Sequence, residues 1–146
     1  MDIEKIENMW AADAPIDPSD LTNESLKTAV LHNRYYTILK YERVVLLEYQ
    51  QRYDEMEVEK RQFYLYGPDE YSKARDWKER PQGRVLKVEL PPILAADSDL
   101  NIEKLRIALQ TEKVQYLEEI VKQINGRSYH INNAIKNELF KHGINA

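Results

Sequence analysis

The chain has 146 residues, with 21 Lys and Arg against 25 Asp and Glu, four Gly, 10 Tyr and no Cys. That length suits one domain, and the absence of cysteine excludes a disulfide framework and any Cys-ligated zinc or iron–sulfur centre. The net charge of −4 argues at first sight against a nucleic-acid partner.

The first residues, Met1-Asp2-Ile3-Glu4-Lys5, are acidic and lack the apolar core of a signal peptide. No apolar run approaches the ~18 residues of a membrane span. A soluble, cytosolic protein is expected. Ile3, Ile6 and Trp10 recur at helical spacing and predict a short amphipathic helix over residues 2–11. Pro15 and Pro18 then interrupt the chain, closing an acidic N-terminal segment over 1–20.

A first long helix is expected over 23–66, which contains neither Gly nor Pro. Asp20, Thr22 and Asn23 are good helix-start residues. Leu31, Tyr35, Ile38, Val45, Tyr49, Met56 and Phe63 form its apolar stripe, with Glu42, Arg52 and Glu59 in the gaps. Gly67-Pro68 stops it, a left-handed cap followed by a residue that cannot continue.

Residues 67–94 read as a basic, aromatic loop and a strand. Leu86, Val88 and Leu90 alternate with Val85, Lys87 and Glu89, a period-2 signal closed by Pro91-Pro92. The strand's partner could come from the flanking loop or from another subunit. Asp97-Ser98-Asp99 could chelate a divalent ion, but these residue types are favoured as helix caps. A second long helix is expected over 99–141, with Ile102, Leu105, Leu109, Tyr116, Ile120, Ile124, Ile131, Ile135 and Leu139 as its stripe. Asn125-Gly126 could kink it, break it, or admit another backbone.

The fold expected is mainly α: one helical domain over 1–146, with two long helices, a short N-terminal helix and a small extended segment. A helix of ~44 residues spans ~66 Å, whereas a compact domain of this size has a radius of gyration near ~15 Å. Its apolar stripe needs partners, so homo-oligomerisation follows. A head-to-tail interface closes into a ring, with Tyr116, Ile120, Ile124, Ile131, Ile135 and Leu139 at the seam.

Resolved along the chain, the charge changes meaning. Residues 1–26 carry −6, residues 71–87 carry +4 and the last 26 residues carry +3. An acidic N-terminus, either a protein-docking face or a helix packed elsewhere, masks two basic surfaces.

No catalytic constellation is visible. Phosphate-binding glycine loops are absent, and His32, His130 and His142 lack metal-ligand spacing. No metal, cofactor or enzymatic activity is expected. Between Tyr64 and Arg80, however, bases alternate with Tyr71 and Trp77. Single-stranded nucleic acid needs both, cations for phosphates and flat rings for unpaired bases. The competing reading is a solvated loop whose rings pack back onto the core. The candidate DNA-binding residues are Lys60, Arg61, Lys73, Arg75, Trp77, Lys78 and Arg80.

Five pieces of the sequence, in order and spacing, resemble the UvsY-like recombination mediators of T-even-type bacteriophages: Asp13-Ala14-Pro15-Ile16-Asp17-Pro18-Ser19-Asp20-Leu21 followed by Glu24; Leu31 to Tyr36; Phe63-Tyr64-Leu65-Tyr66-Gly67; Leu94 to Leu100; and Ile124 to Ile131 continuing through Phe140-Lys141-His142-Gly143. The resemblance implies a non-enzymatic factor that binds single-stranded DNA, loosens the phage single-strand-binding protein and helps load the phage recombinase. It implies a ring of about six to eight subunits in the cytoplasm of the infected host, assembled through the C-terminal helix. It also places a basic pair just before the aromatic helix end, where Arg61 matches, Glu59 stands for the family's Lys, and Lys60 lies between. The alternative is a protein-only assembly module whose basic loop is merely solvated.

Overall fold

A computed structural model describes residues 1–143. The order of elements is α1 (Ile3–Asp13), α2 (Leu21–Tyr66), α3 (Glu70–Ala74), a 3-10 turn (Lys87–Glu89), α4 (Leu90–Ala95) and α5 (Ser98–Lys141). The mainly helical class is as expected, and α2 and α5 match the two long helices. The chain divides into two compact units: Met1–Val44 together with the chain from Glu112 on, and Val45–Thr111.

In the first unit the Asp2 side chain caps α1 by accepting from the Glu4 N–H at 3.2 Å. Ile6 is buried, as are Leu31, Tyr35 and Leu39 from α2 and Val114, Leu117, Ile120, Ile124 and Ile131 from α5. Trp10 sets its ring edge-on to Tyr35, with centroids 5.3 Å apart. The Tyr35 hydroxyl and the Arg34 guanidinium both donate to Asp13 at 2.7 Å. The N-terminal acids are therefore partly consumed inside the fold. Glu42, a gap in the apolar stripe, is a buried carboxylate that meets the Met1 ammonium at 3.0 Å and the Lys113 ammonium at 3.6 Å. A buried charge persists only when it is paired.

Helix α5 is continuous through Asn125 and Gly126. A side chain at Gly126 would meet only the His130 imidazole, at 3.9 Å. The N-terminal half of the expected stripe is displaced. Ile102, Leu105 and Leu109 are exposed, and the buried line runs instead through Leu100, Glu103, Gln110 and Val114. Two polar residues in that line make the wrong face look more apolar.

In the second unit Val85, Leu90, Leu94 and Leu100 form a core, with Tyr53, Met56, Tyr64, Leu65 and Ile93 packed against it. Gly67 ends α2 at φ 90°, and its N–H donates to the Phe63 carbonyl at 3.0 Å. The expected strand is absent, and no strand occurs among the described residues. Residues 87–89 make a single 3-10 turn instead, and α4 starts directly after it. Pro91 and Pro92 sit in the first turn of α4. A proline there loses no hydrogen bond, because the first helical N–H groups have no intrahelical partner. The pair that reads as a strand terminator is a helix initiator. Val85 and Leu90 point into the core, whereas Leu86 and Val88 are exposed.

Candidate nucleic-acid interface

The site lies in the second unit, where the end of α2, the segment around α3 and the start of α5 enclose a cavity of about 510 Å³. The segment is shaped locally. Asp69 and Ser72 form a reciprocal capping box at α3, with both bonds at 2.8 Å. The Trp77 N–H then donates to the Ser72 carbonyl at 3.0 Å, which turns the chain back. Asp76 makes that reversal at φ 54°, a conformation that Asp tolerates better than most residues.

Trp77 is the centre of the wall. Its ring is edge-on to Phe63 at 5.7 Å and to Tyr71 at 5.4 Å. The Lys60 ammonium sits 3.9 Å from its centroid, a cation–π contact. Arg75 stacks its guanidinium 3.4 Å over Tyr71. Lys78 and Arg80 also line the cavity.

The floor is acidic. Lys60 pairs with Asp97 at 3.0 Å and with Asp99 at 2.7 Å. Asp97 accepts from the Tyr64 hydroxyl at 2.5 Å and from the Leu100 N–H at 2.9 Å. It is thus the cap of α5 as well as the partner of Lys60. Burial pushes the Asp97 carboxyl up, but Tyr64, the Leu100 N–H and Lys60 outweigh it and hold the group below the usual range. Burial, and then the bond to Asp97, push the Tyr64 hydroxyl well above its ordinary value. Both shifts favour the hydrogen-bonded Tyr64–Asp97 pair across neutral pH.

The cavity brings together Lys60, Arg75, Trp77, Lys78 and Arg80 of the residues proposed from sequence. Lys60 is only 3% exposed, so its charge belongs to the floor. Lys73 is exposed outside the lining. Arg61 turns elsewhere: it pairs with Glu57 at 2.8 Å and lines a different groove. Phe63, Tyr64 and the Asp97 and Asp99 carboxylates were not expected in the site. The cap signal marked both Asp residues as helix starters but said nothing of a lysine some forty positions earlier.

Of the six expected seam residues, Ile120, Ile124 and Ile131 are each 1% exposed within the first unit. Tyr116, Ile135 and Leu139 are half-buried. Among the described residues no cluster of His, Asp or Glu could hold a metal ion. No described helix is long and apolar enough to cross a membrane.

Residues 9–144 match the model of a family described as "Recombination, repair and ssDNA binding protein UvsY". The chain belongs to the UvsY family. That family is one of recombination mediators that bind single-stranded DNA. No curated protein sequence matches the chain. Crystal structures of the bacteriophage T4 recombination mediator protein UvsY share its fold. One crystal form aligns with a TM-score of 0.77 at 15% identity, covering 97% of this chain and 99% of the other. A second gives 0.76 at 17% identity, covering 94% and 98%. At such low identity the UvsY structures speak for the fold, and the cavity's chemistry has to be read from its own residues.

Proposed function

We propose that the chain binds single-stranded DNA through the aromatic and cationic cavity of the second unit and acts as a recombination mediator. In this role it loads the phage recombinase onto DNA covered by single-strand-binding protein, in the host cytoplasm. The observation that carries the reading is Trp77, ringed by Arg75, Lys78 and Arg80. Phosphates engage these cations, with Lys73 on the approach. A base stacks at Trp77. Lys60 acts from beneath by holding the ring, not by touching phosphate.

The charge balance supports binding that is weak per subunit. Lys60, Arg75, Lys78 and Arg80 face Asp76, Asp97 and Asp99 around one cavity. Such a patch becomes effective when copied around a ring, because a strand held by one subunit presents its next segment to the neighbour at high effective concentration. Protomers close into the ring through the end of α5, where Ile135 and Leu139 are half-buried and Phe140 is 79% exposed. A strand held by several subunits is reshaped, which displaces the single-strand-binding protein and presents DNA to the recombinase.

Fluorescence anisotropy of labelled oligo(dT) with Trp77→Ala tests the site. Loss of one stacked base costs about 1–3 kcal/mol. Unchanged affinity in that variant, or no oligo(dT) binding by the unaltered protein at low salt, would return the cavity to a structural role and favour a protein-only assembly module.

A further inference from the structure

The second unit carries another concavity, of about 520 Å³, on which DNA binding makes no demand. Its walls differ in kind from those around Trp77. Leu65, Leu90, Pro91 and Leu94 supply an aliphatic floor beside Tyr53. Arg61, Lys87 and Lys104 stand around it. Glu57, the carboxylate of this lining, is engaged by Arg61 at 2.8 Å. The Lys104 ammonium lies 5.9 Å from the Tyr53 ring centre. Lys87 is exposed and makes no ion pair among the described residues. The rim is therefore cationic with little internal compensation.

The two walls select different ligands. Unpaired bases gain from flat π faces, which dominate the Trp77 cavity, whereas the groove sets a single ring, Tyr53, beside a floor of Leu and Pro. An apolar side chain gains from aliphatic burial, and a rim of cations selects carboxylates on either side of it. Two acids of the chain's own N-terminal segment are taken within the first unit, where Asp13 is held by Arg34 and Tyr35 and Glu24 by Lys27 and Arg127.

We propose that this groove docks an acid-rich segment of a partner protein, with one apolar side chain on Leu65, Leu90 and Leu94 and neighbouring carboxylates on Arg61, Lys87 and Lys104.

The test uses the full chain and a short fluorescein-labelled peptide in which a Leu-Phe pair is flanked by Asp and Glu. Two control peptides replace Leu-Phe by Ser-Ser, or the acids by Asn and Gln. Anisotropy at physiological ionic strength should show binding of the first peptide and weak binding of both controls. Lys87→Gln/Lys104→Gln should weaken the acidic peptide about fivefold, and oligo(dT) affinity should stay within about twofold because the rim lies outside the DNA site. Both lysines are exposed, so the change spares the core, and a thermal melt matching the unaltered protein checks this. Equal binding of all three peptides, or no binding of the acidic one, overturns the proposal. So does a variant that loses oligo(dT) and keeps the peptide, which would make the groove a second DNA track.

Discussion

The Lys60 ammonium lies 3.9 Å from the centre of the Trp77 ring, buried between that ring and the carboxylates of Asp97 and Asp99. One side chain thus ties the end of α2 to the start of α5 and fixes the residue on which a DNA base would stack. The cation cannot reach solvent while this arrangement holds.

Lys60→Ala should therefore act first on stability. Removing one partner of a buried pair leaves Asp97 charged with only the Tyr64 hydroxyl and the Leu100 N–H to hold it, a loss of up to about 3–5 kcal/mol. Urea unfolding of the variant measures it. A variant as stable as the unaltered protein, yet with weakened oligo(dT) binding, would make Lys60 a direct phosphate ligand.

Trp77 should report DNA binding in its fluorescence. The chain has two tryptophans, and Trp10 sits in the first unit against Tyr35. In a Trp10→Phe background the remaining emission comes from Trp77. Stacking by an unpaired base should quench it as oligo(dT) is added. Constant emission on saturation with oligo(dT) would remove Trp77 from the interface.

The Asp97 carboxyl predicts a pH dependence. Its folded pKa is depressed below the ordinary 3.8, so the unfolded state binds a proton more readily. The stabilisation from its charge is complete above that ordinary value and is lost as pH falls through the depressed one. Asp97→Asn keeps a good cap for α5 but removes the charge. The stability gap between the two proteins should be widest near neutrality and close below about pH 4. A gap that is constant with pH would contradict the assignment.

Gly67 and Gly126 should respond to substitution in opposite directions. Gly67 has φ 90°, and a Cβ there would lie 3.5 Å from the Arg84 Nε. Gly67→Ala should cost about 1–2 kcal/mol from the left-handed backbone alone. Gly126 is helical, and a Cβ there would meet only the His130 imidazole at an ordinary contact distance of 3.9 Å, so Gly126→Ala should add up to about 1 kcal/mol. Thermal melts of both variants check the contrast.

Much of this architecture is legible from local chemistry. The Gly67-Pro68 stop, the long Gly- and Pro-free run before it and the acidic caps before α5 all act over a few residues, and the sequence carries them openly. The features that escape a sequence reading depend on tertiary partners. Pro91-Pro92 can end a strand or start a helix, and the burial of Leu90 and Leu94 in the second unit's core selects the helix. Glu42, Glu103 and Gln110 occupy buried positions that hydropathy alone assigns to solvent. For Glu42 the compensation comes from the Met1 ammonium and Lys113, far away in the chain.

The site was legible in composition but not in geometry. Bases alternating with Tyr71 and Trp77 mark the segment correctly as aromatic and cationic. The adjacent Lys60 and Arg61 look like one basic pair, yet neighbours on a helix point about 100° apart, and they serve two different grooves. Glu24 and Arg127 show the same limit. They fall in two separate pieces of the family resemblance and meet as a buried ion pair, 103 residues apart in sequence.

The salt dependence of oligo(dT) affinity tests the central claim most directly. Each phosphate neutralised on a single strand contributes about −0.7 to the slope of log affinity against log salt. Arg75→Ala/Lys78→Ala/Arg80→Ala should weaken binding and make that slope about 2 units shallower. The same affinity and the same slope in the triple variant would contradict the DNA-binding role of this cavity.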